Sequence, residues 1–253
     1  MGFDIPAEAY DRFMGRYSSL LSVKFADFTG IHAGQRALDV GCGPGALTAE
    51  LVSRLGAAAV VAVDPSPTFL QAIRERQPRV DIREATAEKL PLPDDSVDAA
   101  LAQLVVHFLP DPVKGLTEMQ RIVHSGGVVA ADVWDFVGER APHSTFWHAA
   151  RTLDPTISDE SQLPGAHEGS LSELFAAAGF LDISEVALEL SVQHNDFEAW
   201  WAPYTGGVGP AGAYFDSLTA EHQIALREHC RTMFPEGPFT LVSHAWAARG
   251  TVP

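Results

Sequence analysis

The segment that sets the fold of this chain is Ala37-Leu38-Asp39-Val40-Gly41-Cys42-Gly43-Pro44-Gly45-Ala46-Leu47-Thr48. It reads as a short apolar strand, three alternating glycines and the start of an amphipathic helix. A second apolar strand, Val60 to Val63, ends on Asp64. Glycines let the backbone approach a ligand, a helix N-terminus offers free N–H groups, and an acid one strand away can hold ribose hydroxyls. The pattern therefore predicts a nucleotide-type site at the ends of neighbouring strands.

The glycine spacing narrows the choice of ligand. A dinucleotide site favours G-x-G-x-x-G, whereas here Ala46 stands where the third glycine is expected. Asp39 precedes Gly41 by two residues, and a carboxylate there would repel a pyrophosphate but suit an ammonium group. S-adenosylmethionine (SAM) carries an ammonium group, a ribose and an adenine, and no phosphate. The loop therefore favours SAM over a nicotinamide dinucleotide.

Composition limits the partners. The 253 residues include 33 acidic and 17 basic ones, a formal charge of −16, which disfavours nucleic acid and favours a small-molecule partner. No apolar run reaches membrane-spanning length, and the first six residues lack the features of a signal peptide. With two cysteines and no disulfide framework, we expect a cytoplasmic protein that is a monomer or homodimer.

Strand-like and helix-like segments alternate from about residue 36 to 133, which predicts a parallel sheet covered by helices. Val128 to Asp132 is expected as a strand, and Gly126-Gly127 are expected to interrupt the secondary structure just before it. Long connections at about 136–169 and 195–237 are typical of lids or binding elements, and they carry Trp147, Trp200, Trp201 and His143. We expect N-terminal lid or entry helices over 1–34 and a main domain over 35–253 into which these cap segments are inserted.

The glycine segment resembles motif I of the class I SAM-dependent methyltransferases. Further along, 84–98 (EATAEKLPLPDDSVD) is similar to the family's segment that lines the adenine, with Thr86 in place of the usual aspartate. Residues 103–108 (QLVVHF) resemble the segment facing the methionine end of SAM, and 118–127 (EMQRIVHSGG) resembles the family's doubled-glycine turn. Residues 10–18 (YDRFMGRYS) resemble an entry helix often seen before motif I in this family. The branch implied is the small-molecule, ubiquinone/menaquinone-biosynthesis-like group, methyltransferase type 11.

This resemblance implies an α/β fold: a Rossmann-like, seven-stranded, mostly parallel sheet with helices on both faces and an antiparallel final strand. It also implies a SAM-dependent methyltransferase that converts SAM to S-adenosylhomocysteine (SAH) while methylating an O, N or C atom of a small molecule. The cofactor-binding residues so assigned are Tyr10, Arg16, Asp39, Gly41, Cys42, Gly43, Asp64, Pro65, Ser66, Thr86, Ala87, Glu88, Gln103 and Leu104.

Several of these residues have an alternative role. Asp64 could instead be an ordinary helix N-cap, and Asp39 could orient the loop. Cys42 is better explained as a small side chain that packs in a crowded loop than as a nucleophile. Arg16 either pairs with the SAM carboxylate or is a surface arginine, and Tyr10 either closes over the sulfonium or packs. His107 is the first candidate for a general base, with a wall histidine as the alternative.

No metal-binding spacing occurs, and neither His143 nor His148 has an obvious carboxylate partner in a motif, so no metal site is expected. Two alternative functions stay open. One is a catalytically silent SAM/SAH-binding regulator, and the other, which Asp39 and the missing third glycine oppose, is a nicotinamide-dependent oxidoreductase.

Overall fold

A computed structural model describes residues 6–253, so residues 1–5 of the predicted 1–34 segment lie outside the described part. Its strands are β1 Ala37–Val40, β2 Val60–Asp64, β3 Asp81–Glu84, β4 Val97–Gln103, β5 Val123–Trp134, β6 Leu181–His194 and β7 Phe239–Thr251. The α-helices are α1 Ala7–Tyr10, α2 Arg16–Thr29, α3 Ala46–Leu55, α4 Pro67–Arg76, α5 Pro112–Ile122, α6 Ser144–Leu153, α7 Ser170–Ala177, α8 Phe197–Trp201, α9 Gly209–Ser217 and α10 Ala220–Thr232.

All seven strands form one sheet in the order β3-β2-β1-β4-β5-β7-β6. β7 pairs antiparallel with both β5 and β6, and the other neighbouring pairs are parallel. Along β2, Val61 and Val63 belong to one buried cluster, whereas Val60 and Ala62 belong to a second. Because strand residues alternate between faces, both faces of the sheet are buried. The predicted mostly parallel Rossmann-like sheet with an antiparallel final strand is therefore confirmed.

The prediction that Gly126-Gly127 interrupt the secondary structure before the strand is wrong. β5 begins at Val123 and runs through both glycines, with a register shift between the pairs Val97–Val123 and Ala99–Val128. Gly126 has φ +80°, and a Cβ on Gly127 would lie 2.6 Å from the Asp98 carbonyl oxygen. The two glycines therefore let the strand bulge against β4 and continue, because a side chain would strain one position and clash at the other.

The two long connections contain helices that pack on each other. The first holds α6 and the second holds α8, α9 and α10, with α10 against α6. Phe146 of α6 stacks on Tyr204 with ring centroids 4.8 Å apart, and Phe13 lies edge-on to Tyr204 at 5.4 Å. Both connections and the chain before α2 thus meet in one aromatic cluster, and we call the segments 136–169 and 195–237 the cap.

Within residues 6–253, no helix is long and apolar enough to cross a bilayer.

Candidate active site

One cavity of about 650 Å³ runs from the loops at the carboxyl ends of β1 to β4 to the cap. This is the edge of an open α/β sheet at which ligands bind. Many predicted site residues line it: Tyr10, Gly41, Gly43, Asp64, Pro65, Ser66, Thr86, Ala87, Glu88, Gln103, Leu104 and His107. Their individual roles remain predictions. The cap side is contributed by His143, Glu160, Val208, Gly209 and Pro210.

The glycine loop packs tightly on the loop after β4. Gly41 has φ +69°, and a Cβ there would lie 2.5 Å from Val105 Cγ2. By contrast, a Cβ on Gly43 would meet nothing within 4 Å, and Gly43 lines the cavity. The backbone of this loop is therefore bare toward the cavity, as a closely approaching ligand requires.

Asp64 connects the end of β2 to both neighbouring loops. Its Oδ2 accepts a hydrogen bond from the Gly43 amide at 2.9 Å, and its Oδ1 accepts one from the Ser66 amide at 2.8 Å. Burial raises the pKa of this carboxyl, and the two backbone bonds oppose that shift. Ser66, whose hydroxyl accepts from the Phe69 amide, is the N-cap of α4. The helix is therefore capped by Ser66 and not by Asp64.

Asp39 does not line the cavity. It is 1% exposed, and its Oδ2 accepts a hydrogen bond from Thr48 Oγ1 at 2.5 Å. Burial raises the pKa of Asp39 to about 7, while the Thr48 bond opposes the shift. This contact joins the end of β1 to α3 on the two sides of the glycine loop, which supports the loop-orienting alternative.

Cys42 and Arg16 also lie away from the cavity lining. Cys42 is buried in an apolar cluster with Leu47 and Ile73, and burial raises its thiol pKa, so it fits the packing interpretation. The exposed Arg16 has its Nη1 3.3 Å from His194 Nδ1, and Tyr17 Oη lies 2.8 Å from His194 Nε2. Arg16 thus contacts β6, and the structure does not bring it to the other predicted cofactor residues.

Two buried side-chain oxygens at the cavity wall have no hydrogen-bond partner among the described residues. Gln103 donates from Nε2 to the Ser18 carbonyl oxygen at 3.1 Å, which leaves its buried Oε1 unpartnered. Glu88 Oε1 is likewise buried and unpartnered. Buried acceptors without partners are rare, and they fit a ligand that donates hydrogen bonds, such as the ammonium and adenine amino groups of SAM.

The turn after β4 is held in an unusual conformation. Leu104 has φ +58°, and its amide donates to Asp132 Oδ1 at 2.9 Å. Asp132, at 0% exposure, was not predicted as a site residue, and burial raises its pKa well above the usual value. This contact fixes the backbone that brings Leu104 and His107 to the cavity.

His107 is 4% exposed and makes no hydrogen bond with the described residues, and its Nδ1 is buried and unpartnered. Burial lowers its pKa to about 4, with Glu160 opposing the shift and His143 adding to it. The ring is therefore neutral at physiological pH, and it is a weaker base than an ordinary histidine.

The cap adds a pair that sequence reasoning missed. His143 Nε2 lies 2.7 Å from Glu160 Oε2, and Trp147 Nε1 donates to the same oxygen at 2.8 Å. Both members of the pair are at least 95% buried, and both line the cavity. Neither His143 nor His148 has a carboxylate partner in a sequence motif, but the fold brings Glu160 to His143 and places Glu139 3.4 Å from His148. The partners follow no motif spacing, so the only sequence signal was the aromatic-rich connection itself.

The three cap tryptophans are absent from the cavity wall. Trp200 and Trp201 pack in the aromatic cluster of the cap, and Trp147 supports Glu160. Trp134, at the end of β5, lines the cavity instead. Among residues 6–253 no group of three or more His, Cys, Asp or Glu side chains is arranged to hold a metal ion.

Residues 38–131 match the methyltransferase domain family. The match covers less than half of the chain, and together with the seven-stranded fold and the glycine loop it makes the chain similar to the class I SAM-dependent methyltransferases.

Three known proteins illustrate the likeness. Over 108 residues the chain is 41% identical to an uncharacterized methyltransferase of Mycobacterium tuberculosis, an alignment that spans 43% of each protein. It is 28% identical to trans-aconitate 2-methyltransferase of Methylobacterium radiotolerans over 81% of this chain and 74% of that one. Phosphoethanolamine N-methyltransferase 2 of Haemonchus contortus, solved with phosphomonomethylethanolamine and SAH, matches with TM-score 0.58 at 17% identity, over 98% of this chain and 57% of that one.

Proposed function

We propose that this protein is a SAM-dependent methyltransferase that transfers a methyl group to an O, N or C nucleophile of a small molecule and leaves SAH. The observation that carries the proposal is that one continuous cavity joins the glycine loop to the cap. Its one end has the bare glycine backbone and Asp64, and its other end is closed by cap residues around His107, His143 and Glu160. A cofactor and an acceptor can therefore occupy the same enclosed space.

The cofactor end is assigned residue by residue. We propose that Asp64 holds the ribose hydroxyls, since each of its oxygens has a lone pair beyond the one used by Gly43 or Ser66. Gln103 Oε1 is the proposed acceptor for the ammonium group, because its Nε2 is already engaged by Ser18. The loop 86–88 lines the adenine side in this proposal, with Glu88 Oε1 as the unpartnered acceptor.

When bound, SAM supplies an activated methyl group on a sulfonium, which the nucleophile of the acceptor displaces in line. The remaining work of the chain is positioning and exclusion of water. The cap and the segment around Tyr10 and Phe13 enclose the cavity, and such alignment of two reactants can lower a barrier by about 7–11 kcal/mol. His107 stays a candidate acceptor of a substrate proton, but a pKa of about 4 restricts it to acidic nucleophiles.

Other properties of the chain favour a small acceptor in the cytoplasm. A charge of −16 opposes association with nucleic acid. The cavity of about 650 Å³ beneath the cap has room for small molecules but not for a polymer. Both cysteines are free and buried. We propose a cytoplasmic monomer or homodimer.

Thermal melts with SAM, SAH and NAD test the proposal. A ligand at about 100 times its Kd adds roughly 2.7 kcal/mol to the free energy of unfolding. We expect SAM and SAH each to raise the Tm and NAD to leave it unchanged. Stabilisation by NAD alone would contradict the proposal in favour of an oxidoreductase. Binding of SAM without methyl transfer to any of a broad set of acceptors would favour a silent binding protein.

A further inference from the structure

We infer that the cap end of the cavity is an acceptor subsite for a largely apolar molecule that is not an anion and that donates an O–H or N–H to Glu160. The inference rests on the proposed function, because it assigns the space that the cofactor leaves. It adds the chemical class of the acceptor, which the fold and family leave open.

The first observation is the set of polar atoms at this end. Glu160 receives hydrogen bonds from His143 and Trp147 on the same oxygen, Oε2, whereas its Oε1 receives none from a described residue. Since Oε2 can only accept, His143 Nε2 donates to it, and Glu160 Oε1 stays open to a ligand. The free carboxylate oxygen is an acceptor, so a ligand must bring the donor.

The second observation is the charge. Although burial opposes it, the contacts with His143 and Trp147 hold the pKa of Glu160 below its usual range, so this carboxylate stays ionised. None of the described residues that line the cavity is a lysine or arginine, and the burial of His107 keeps that ring neutral. An anionic acceptor would face Glu160 at close range with no lysine or arginine to neutralise it.

The third observation is the apolar wall. Phe13, Phe108, Leu109, Trp134 and Val208 line the same cavity, so most of the surface offered to the acceptor is hydrocarbon. Apolar walls with a few fixed polar atoms are typical of sites for apolar molecules that are oriented by one or two hydrogen bonds.

The two relatives named for their substrates differ here in the chemistry that they require. Trans-aconitate is a tricarboxylate, and phosphomonomethylethanolamine carries a phosphate. The cavity of this chain has no guanidinium or ammonium among its described lining residues to bind either group. The acceptor subsite therefore suits a different substrate class from both.

Two probes of equal ring size test the inference: 1-naphthol, a neutral donor at pH 7, and 1-naphthoate, an anion. SAH binding is measured first by calorimetry, and each probe is then titrated into the SAH-loaded protein in 0.15 M salt. We expect 1-naphthol to bind at least about tenfold more tightly than 1-naphthoate. The reason is that the carboxylate of 1-naphthoate would lie unpaired against the buried carboxylate of Glu160, which costs more than the roughly 1.4 kcal/mol that a tenfold ratio represents.

Variants locate the selectivity. Glu160→Gln should reduce the preference to about threefold or less while SAH affinity and the Tm without ligand stay near the wild-type values. Glu168→Gln removes the same charge from an exposed position of the same cap segment and should leave the preference unchanged. If SAH fails to bind, the proposed function fails. If SAH binds but 1-naphthoate binds as tightly as 1-naphthol, if neither probe binds, or if Glu168→Gln acts like Glu160→Gln, the inference is overturned and the cofactor assignment stands.

Discussion

Asp64 Oδ2 accepts a hydrogen bond from the backbone amide of Gly43 at 2.9 Å, which ties the end of β2 to the glycine loop that follows β1. The proposed ribose ligand is therefore also a support for the loop that would surround the cofactor. A substitution at Asp64 acts on both, and the predictions separate the two effects.

Replacing Asp64 by alanine removes the ribose acceptor and the partner of the Gly43 and Ser66 amides. We expect SAH affinity to fall about a hundredfold or more, because hydrogen bonds to a charged group contribute about 1.5–3 kcal/mol each. The free energy of unfolding should fall by about 1–3 kcal/mol. Calorimetry and urea denaturation measure the two effects.

Asp64→Asn keeps one acceptor oxygen, so it should lose less stability than Asp64→Ala but still bind SAH weakly. Glu84, the exposed register partner of Asp64 on β3, provides the control: Glu84→Ala should leave SAH affinity unchanged. Wild-type SAH affinity in Asp64→Ala would refute the ribose role.

A methyl group on Gly41 should disturb the loop more than one on a comparable glycine elsewhere. Gly41→Ala combines a positive φ with a Cβ 2.5 Å from Val105, whereas Gly34→Ala has a positive φ and no atom within 4 Å. We expect both to cost backbone strain and Gly41→Ala to cost about 1–3 kcal/mol more from overpacking. SAH affinity should fall only in Gly41→Ala. Equal stability losses in denaturation curves would show that the close approach to Val105 is unimportant.

Acid should loosen the contact between α2 and β6. Arginine has no acceptor, so His194 Nδ1 must accept from Arg16 and its Nε2 must donate to Tyr17, which requires a neutral ring. Burial, with Arg16 adding to it, lowers the pKa of His194 to about 4, below the unfolded value near 6.5. The unfolded state then binds more protons between these values, so the stability due to His194 is full above pH 6.5 and is lost as pH falls toward 4.

The measurement is the free energy of unfolding of the wild type and of His194→Gln from pH 7 to pH 4. The wild type should lose more stability over that range than the variant. Substitution of the exposed His167 by glutamine serves as the control and should preserve the wild-type slope. Parallel curves for the wild type and His194→Gln would contradict the assigned tautomer.

Asp132 should show the opposite dependence on pH. Its folded pKa is well above the usual value because it is buried, so the unfolded state loses its proton first as pH rises above about 4. Asp132→Asn keeps an acceptor for the Leu104 amide and does not titrate. The variant should therefore gain stability relative to the wild type as pH increases. If the free energies of unfolding of the variant and the wild type differ by the same amount at every pH, ionisation of Asp132 does not destabilise the folded state.

The sheet and the loops of the proposed cofactor end were predictable because both depend on local sequence. β1, the glycines and β2 follow one another within 28 residues (37–64), and short apolar runs bounded by turn residues are typical of buried parallel strands. The continuous β5 was not predicted, since a doubled glycine reads as a turn until the partner strand, which tolerates the bulge, is known.

The acceptor end was less predictable because its residues depend on packing between distant segments. His143 and Glu160 lie in an irregular connection, and only the docking of α6 and the turn at Glu160 brings them within 2.7 Å. Arg16 illustrates the converse. Its motif resemblance suggested the cofactor, whereas the partner that it contacts, His194, comes from the end of β6, far along the chain. No local pattern encodes either pairing.

A crystal structure of the protein with SAH is the most direct test of the proposed cofactor and acceptor ends of the cavity. We expect density for SAH in the cavity, with the ribose hydroxyls on Asp64, the amino group toward Gln103, and open space between the sulfur and the His143–Glu160 pair. Density for SAH away from Asp64, or a cavity end at His143 and Glu160 already filled by the cofactor, would contradict this expectation.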